Sequence, residues 1–598
     1  MSQLDLKIDS VFGGQAPAQY FGQEGSYLSS IAIDPDYPIS SSDIKTSGFA
    51  VPIGYADFSS TELTSAPLAI INNPKNTLTY VVATNGRIIS YDSSLGSETL
   101  VASTFTVTIA SPAIFSLTAH GLKLDDIVYF STSGALPTGL TAGTAYYVIS
   151  AGLTADAFEV STSAGGAAVN TSGTQSGTHK VTMECHGADY YNNYLYLRTG
   201  TNVSRYGPLN NSPALTHGFW VTTCAETALT NTAYPSLRSV TLPNHWGHVH
   251  GDNCLYFCDF INGQGMIHKI STKKVTNEGD TDGTVVPSAY NVLDLPFGFY
   301  PTDITSASTN LLITGIYTID TTVDQGKSAF VVWDPTDTTS FFLGPVPLED
   351  SLATAAFNKN GRVFIFTGNA QNGVRVSQYG GGEDVTDVVF QEEGLPPFPG
   401  AVDAMGDRIT WGGFTTNPSA GAVAYAWGSK DSRLPKGLHN VAKTSSAGAT
   451  PIITCLKYVL QSSYKQPQLV IGWNDASNYG VDKYSASATL ASNLRFMFNL
   501  GQKFQIQKIR IPLAGAVDAN TTITPKVYLD DLSSNKTLAV INNTNYPSKR
   551  KVIYHAPELK DYVGENNFVL ELAWTGTTPL PVALPIKITL DVKEDEKN

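Results

Sequence analysis

Four residues in one short stretch carry side chains of metal-ligand type: His248, His250, Asp252 and Cys254. Alternate residues of a β-strand point to one face. This spacing would gather two imidazoles, a carboxylate and a thiol, a set suited to a first-row metal, with His245 and Cys258 nearby. Gly251-Asp252-Asn253, however, reads as a turn, which breaks the alternation. Strand histidines and cysteines then serve in packing between sheets or bond to backbone. On that reading these four are weak metal candidates, and no metal, cofactor or catalytic residue is expected.

Asp280 and Asp282 precede Gly283 as at the start of a calcium loop, but the distal bidentate Glu is missing. Carboxylates cluster at Glu349-Asp350, Glu383-Asp384, Asp387 and Glu392-Glu393. A glycosidase needs two of them facing across a cleft, and no substrate-binding motif accompanies these. Trp411, Trp427, Trp473 and Tyr484 could stack on sugar rings, yet they fall at strand positions that suit a core. There is no Ser-His-Asp signature, phosphate loop or dinucleotide fingerprint. The expectation is that the chain is not an enzyme.

The elements that must position these residues are β-strands. Of 598 residues, 15% are charged, against roughly 25% in an average soluble domain, and 42% are hydrophobic. Ser, Thr, Asn and Gly fill the surface instead, which suits rigid β-structure and not long helices. The net charge of -14 has the wrong sign for a chain built to bind nucleic acid specifically. The one basic run is Lys549-Arg550-Lys551, which reads as a solvated strand edge. Five cysteines at irregular spacings do not form a disulfide framework. No secretory signal or membrane span is read, so folding in a reducing cytosol is expected.

Short apolar runs bounded by Asn, Asp, Gly and Ser recur along the chain. "TYVVATNGRIISYDSS" sets two strands about Asn85-Gly86. "NNYLYLRTGTNVSRYGPLN", "GDNCLYFCDFINGQGMIHKIST", "KNGRVFIFTGNAQNGVRVSQYGG" and "QPQLVIGWNDASNYGVDKYSAS" repeat the plan at intervals of about 45–55 residues. That period matches one four-stranded propeller blade. The expected fold is all-β: a multi-bladed β-propeller of about seven blades over residues 61–104 and 183–487. Residues 105–182 read as an inserted small β-barrel-like module, and 488–598 as a C-terminal β-sandwich or jelly-roll. Residues 1–60 read as an extended docking segment.

The insert carries the most distinctive pattern. His120-Gly121-Leu122, Asp125-Asp126-Ile127-Val128, Leu136-Pro137, Gly139-Leu140, Gly143-Thr144 and Tyr146-Tyr147-Val148-Ile149 follow one another. This resembles the first catalytic-cysteine half-domain of ubiquitin-activating enzymes, a module common in phage tail and fibre proteins, where it decorates other folds. The resemblance covers the insert alone. It implies a tailed-bacteriophage virion, and no chemistry. The expected role is a structural tail protein, a nozzle, ring or tip element, forming a homo-oligomeric ring with other tail proteins as partners. The alternatives are a receptor-recognition protein for host-surface glycan and a polysaccharide-degrading tail enzyme.

Overall fold

The computed structural model describes residues 2–8, 14–15, 26–27, 29–30 and most of 54–592. The longest stretches outside that description are 16–25, 31–53, 210–246, 272–287, 318–326, 414–421 and 429–436. The chain is all-β, and seven antiparallel meanders follow one another as the blades of a propeller. Blade one covers residues 67–101, blade two 187–206, blade three 247–297, blade four 299–347, blade five 352–391, blade six 402–443 and blade seven 452–484. Among the described residues no helix is long and apolar enough to cross a membrane.

The chain divides into two compact units. One comprises Phe58–Asp403 and Thr450–Asp482; it holds the insert and all blades but the sixth, most of which falls in the other. Blade strands are buried on both faces. Thr79–Ala83, Ile88–Tyr91 and Tyr194–Arg198 have no exposed position, because each sheet is covered by its neighbours. The first hairpin turns at Asn85-Gly86, where Gly86 takes φ +74°, a conformation that glycine adopts without strain.

Residues 103–183 form a closed six-stranded barrel. Strand alternation sends Phe105, Phe115, Phe130, Tyr146 and Phe158 inward. Phe115 lies between Phe130 and Phe158, at centroid distances of 4.9 and 5.1 Å. The barrel is fastened to the hairpin turn of blade one. Thr182 Oγ1 donates to the Asn85 carbonyl at 2.9 Å, and the Cys185 N–H to the Thr84 carbonyl at 2.9 Å. A Cβ on Gly86 would stand 1.4 Å from the Met183 carbonyl oxygen, so no side chain fits there.

The second unit comprises Met1–Asp57, Ala404–Ala449 and Lys483–Asn598. Its C-terminal part is a sandwich. One sheet runs through Ser2–Ile8, Ile586–Val592, Phe504–Pro512 and Lys551–His555, the other through Leu490–Asn499, Asn567–Gly576 and Thr522–Leu529. Ile509, Ile588, Leu570 and Ile523 meet between them. The N-terminal reading needs one correction. Ser2–Ile8 is an edge strand of this sandwich, paired antiparallel from Ser2↔Val592 to Ile8↔Ile586, because its alternating Leu4, Leu6 and Ile8 complete the apolar face.

Candidate functional site

The inner strands of the blades surround a cavity of about 450 Å³. Ile70, Asp189, His248, Thr305, Phe357 and Lys457 line it, each from a different blade. The volume is that of a small-molecule site. Many of the polar groups around it are engaged by the neighbouring blade.

The seam between blades four and five shows how. Asp303 is buried; its Oδ1 accepts the Ile304 N–H and its Oδ2 the Ala356 N–H of the next blade, both at 2.7 Å. Thr302 Oγ1 donates to the Ala353 carbonyl at 2.6 Å, and Asn358 Nδ2 donates back to the Ser306 carbonyl. The seam between blades seven and one repeats the device. Thr454 Oγ1 donates to the Pro67 carbonyl at 2.6 Å, and Asn72 Nδ2 to the Tyr458 carbonyl at 2.9 Å. Thr302 and Thr454 both sit at β-bulges, which turn an inner-strand side chain toward the adjoining sheet. Asp403 accepts the Tyr458 N–H at 2.8 Å and lies 3.2 Å from Lys457 Nζ.

The seam between blades two and three is ionic and buried. Arg198 is 3% exposed and Asp259 fully buried, with Nη2 and Oδ1 2.6 Å apart; Arg198 Nη1 donates to the Cys258 carbonyl. His268 lies 3.4 Å from the other carboxylate oxygen and stacks on Phe257. Arg198 and Asp259 are 61 residues apart, so no local spacing announces the pair.

The four metal-type residues lie on blade three, at a strand end and turn. His248 Nε2 and His250 Nδ1 both approach Ser306 Oγ, at 2.6 and 2.9 Å, and His250 Nε2 donates to the Thr309 carbonyl. They join blade three to blade four. Asp252 accepts the Cys254 N–H, the Tyr256 hydroxyl and Lys269 Nζ. Burial works against its ionisation, yet these donors hold its carboxyl below the ordinary value. Cys254 is buried, its thiol directed at the Asp252 carbonyl. The turn at Gly251 separates the pairs, and no group of three or more ligating side chains could share an ion among the described residues. Burial pushes the Cys185 and Cys455 thiols up to about 12 and the Cys258 thiol well above its ordinary value, which disfavours the thiolate at all three.

The remaining candidates do not converge. Glu349 is exposed and pairs with Arg375; Asp350 is buried and accepts the Thr367 hydroxyl at 2.6 Å. Trp411 is fully buried, and Trp473 donates from Nε1 to Asp482 at 2.8 Å. Trp427 and Tyr484 are partly buried strand residues. The side chains of Asp387, Glu383-Asp384, Glu392-Glu393, Asp280 and Asp282 lie outside the described residues, as do His245, Cys224 and Lys549-Arg550.

No family model matches this chain, and no curated protein does. Solved structures do. The Cps50 (Swd1) β-propeller domain of Myceliophteria thermophila is 7% identical over 71% of this chain and 97% of that one, with a TM-score of 0.36. An exo-β-1,3-galactanase of Phanerochaete chrysosporium is 10% identical over 58% and 95%, at 0.24. A sialidase of Trypanosoma rangeli is 9% identical over 90% and 96%, at 0.31. The expectation that this chain is not an enzyme is corrected by this finding, because the similar structures include glycoside-cleaving enzymes. At these scores none of them carries a substrate or an activity over to this chain.

Proposed function

We propose that this chain is a structural component of a tailed-bacteriophage virion, placed in the tail. The propeller is a stiff mount that holds the inserted barrel toward neighbouring tail proteins. The observation that carries this reading is the use of inner-strand polar groups: Thr302 and Thr454 donate, and Asp303 and Asp403 accept, hydrogen bonds from one blade to the next, even where Asp303 and Thr454 line the cavity. Closed rings of sheets resist shear and leave few free edges. The resemblance of residues 105–182 to a module of phage tail and fibre proteins supports the setting. The axial cavity is of small-molecule size, so a DNA path in this reading runs through a ring of copies and not along the propeller axis. Single-particle class averages of the recombinant chain test it. Rings with a central hole are expected. A monomer that is also absent from purified virions would sink the proposal.

A second reading, a protein acting on host polysaccharide, is favoured by the cavity itself, where Asp189, His248 and Lys457 come from three blades. It requires reducing-end release from a polysaccharide panel, lost on Asp189→Asn.

A further inference from the structure

On the C-terminal sandwich, the sheet containing Ser2–Ile8 has one face in the core and one in solvent. The solvent face gathers cations from four distant parts of the chain. Lys7 is paired with Lys587, and Lys587 with Arg510, so three like charges stand in one row across three strands. Lys508 lies two residues along from Arg510 on the same face, and Lys551 stands opposite Pro512 on the next strand. The alternation is strict: Ile586, Ile588, Ile509, Ile511 and Val552 are buried, whereas Lys7, Lys551 and Lys587 are exposed and Lys508 and Arg510 partly so. Asp5 stands in the neighbouring cross-strand row with Thr589 and Lys508, and Asp591 lies one step further along. Among the described residues none of the five cations forms an ion pair, and Arg510 Nε is buried without a hydrogen-bond partner.

Like charges directly opposed across strands destabilise a sheet. An anion laid over the row would offset that cost. Four of the five cations are lysines, which protein interfaces disfavour and phosphate contacts use freely. Thr589, Ile553 and Pro512 are their neighbours on the same face, and the exposed His555 ring stands opposite Lys508, so this face holds one imidazole and no Phe, Tyr or Trp. The net charge of -14 does not forbid this. Screening acts over about 8 Å at physiological salt, so a local patch governs its own contacts.

We infer that this sheet face binds the phosphate backbone of duplex nucleic acid without reading its sequence. The inference does not rest on the tail reading, and its test does not involve virions. The full chain is titrated against a fluorescein-labelled 30-base-pair duplex of arbitrary sequence, from about 50 to 200 mM salt. Anisotropy should show binding whose logarithm falls linearly with log salt, at a slope of about -3 to -5, equally for a second, unrelated duplex. Replacing Lys508, Arg510 and Lys587 by Gln together should weaken binding at least about tenfold at the lowest salt while thermal unfolding stays within a few degrees. A single replacement, Lys587→Gln, covers the case in which the triple variant does not fold, and should lower the salt slope by about one. No binding at the lowest salt overturns the inference. So does equal binding by the folded variants. Retention of polyglutamate in preference to the duplex, lost in the variants, also overturns it and reassigns the face to an acidic protein.

Discussion

The inserted barrel and the propeller blades solve the same problem differently. The barrel closes on itself: its six strands leave no edge, and Phe105, Phe115, Phe130 and Phe158 fill the interior. A blade cannot do this. Its two faces are both apolar, and at its inner strand it depends on the next blade for hydrogen bonds, as Thr302 depends on Ala353 and Thr454 on Pro67. The barrel is therefore a self-sufficient body, whereas each blade is stable only within the ring.

The largest effect that probes this contrast is loss of the ionic seam. Arg198→Met leaves Asp259 charged and buried, and should cost about 3–5 kcal/mol, read in denaturant unfolding of the whole propeller. Phe130→Ala should cost a similar amount, about 3–5 kcal/mol, but in the barrel. Hydrogen exchange should then rise in residues 103–183 and stay unchanged in blades four and five; a rise across both would break the contrast. Thr454→Val leaves the Pro67 carbonyl without its donor and should cost about 1–3 kcal/mol, with exchange rising on both sides of the seam between blades seven and one.

Acid should also separate the two bodies. In the barrel, His120 Nδ1 accepts the Leu122 N–H while Nε2 faces the Ala157 carbonyl, so the ring is bound in its neutral form. Burial lowers the proton affinity of His120 and of His179 below the ordinary 6.5. Because the folded values lie below the unfolded ones, their contribution is complete above pH 6.5 and is lost as pH falls below it toward the folded values. Barrel protection measured by hydrogen exchange should thus decline from pH 6.5 downward, and His120→Asn should flatten part of that decline. The smallest effect concerns the cationic row. Lys587→Gln should raise stability by up to about 0.5 kcal/mol, less at high salt, as relief of like charges requires.

The fold class was legible in the chain because each hairpin has a local cause. Asn85-Gly86 sets a turn, the flanking runs are apolar throughout, and a strand buried on both faces needs no other signal. The barrel was legible for the same reason: its inward alternation is written within some 80 residues. The seams were not. Arg198 meets Asp259, and Asp303 meets Ala356, across separations that no period encodes. The His248 to Cys254 stretch looked like a ligand set because alternation was extended through a turn; Gly251 sends Asp252 to Lys269 and leaves the imidazoles to Ser306. The cationic face was the least legible feature. Lys7, Lys508, Arg510, Lys551 and Lys587 form no run, and only the pairing of the first strand with the last brings their two ends together.

The bare turn at Gly86 has a mechanical consequence. The Met183 carbonyl lies where a side chain would be, and Thr182 and Cys185 bond to the same turn. A force on the barrel is therefore delivered to the hairpin of blade one, two strands of which are fully buried, and not dissipated in a slack tether. The module is a lever bolted to the ring, and even a methyl group at position 86 would be a shim under the bolt.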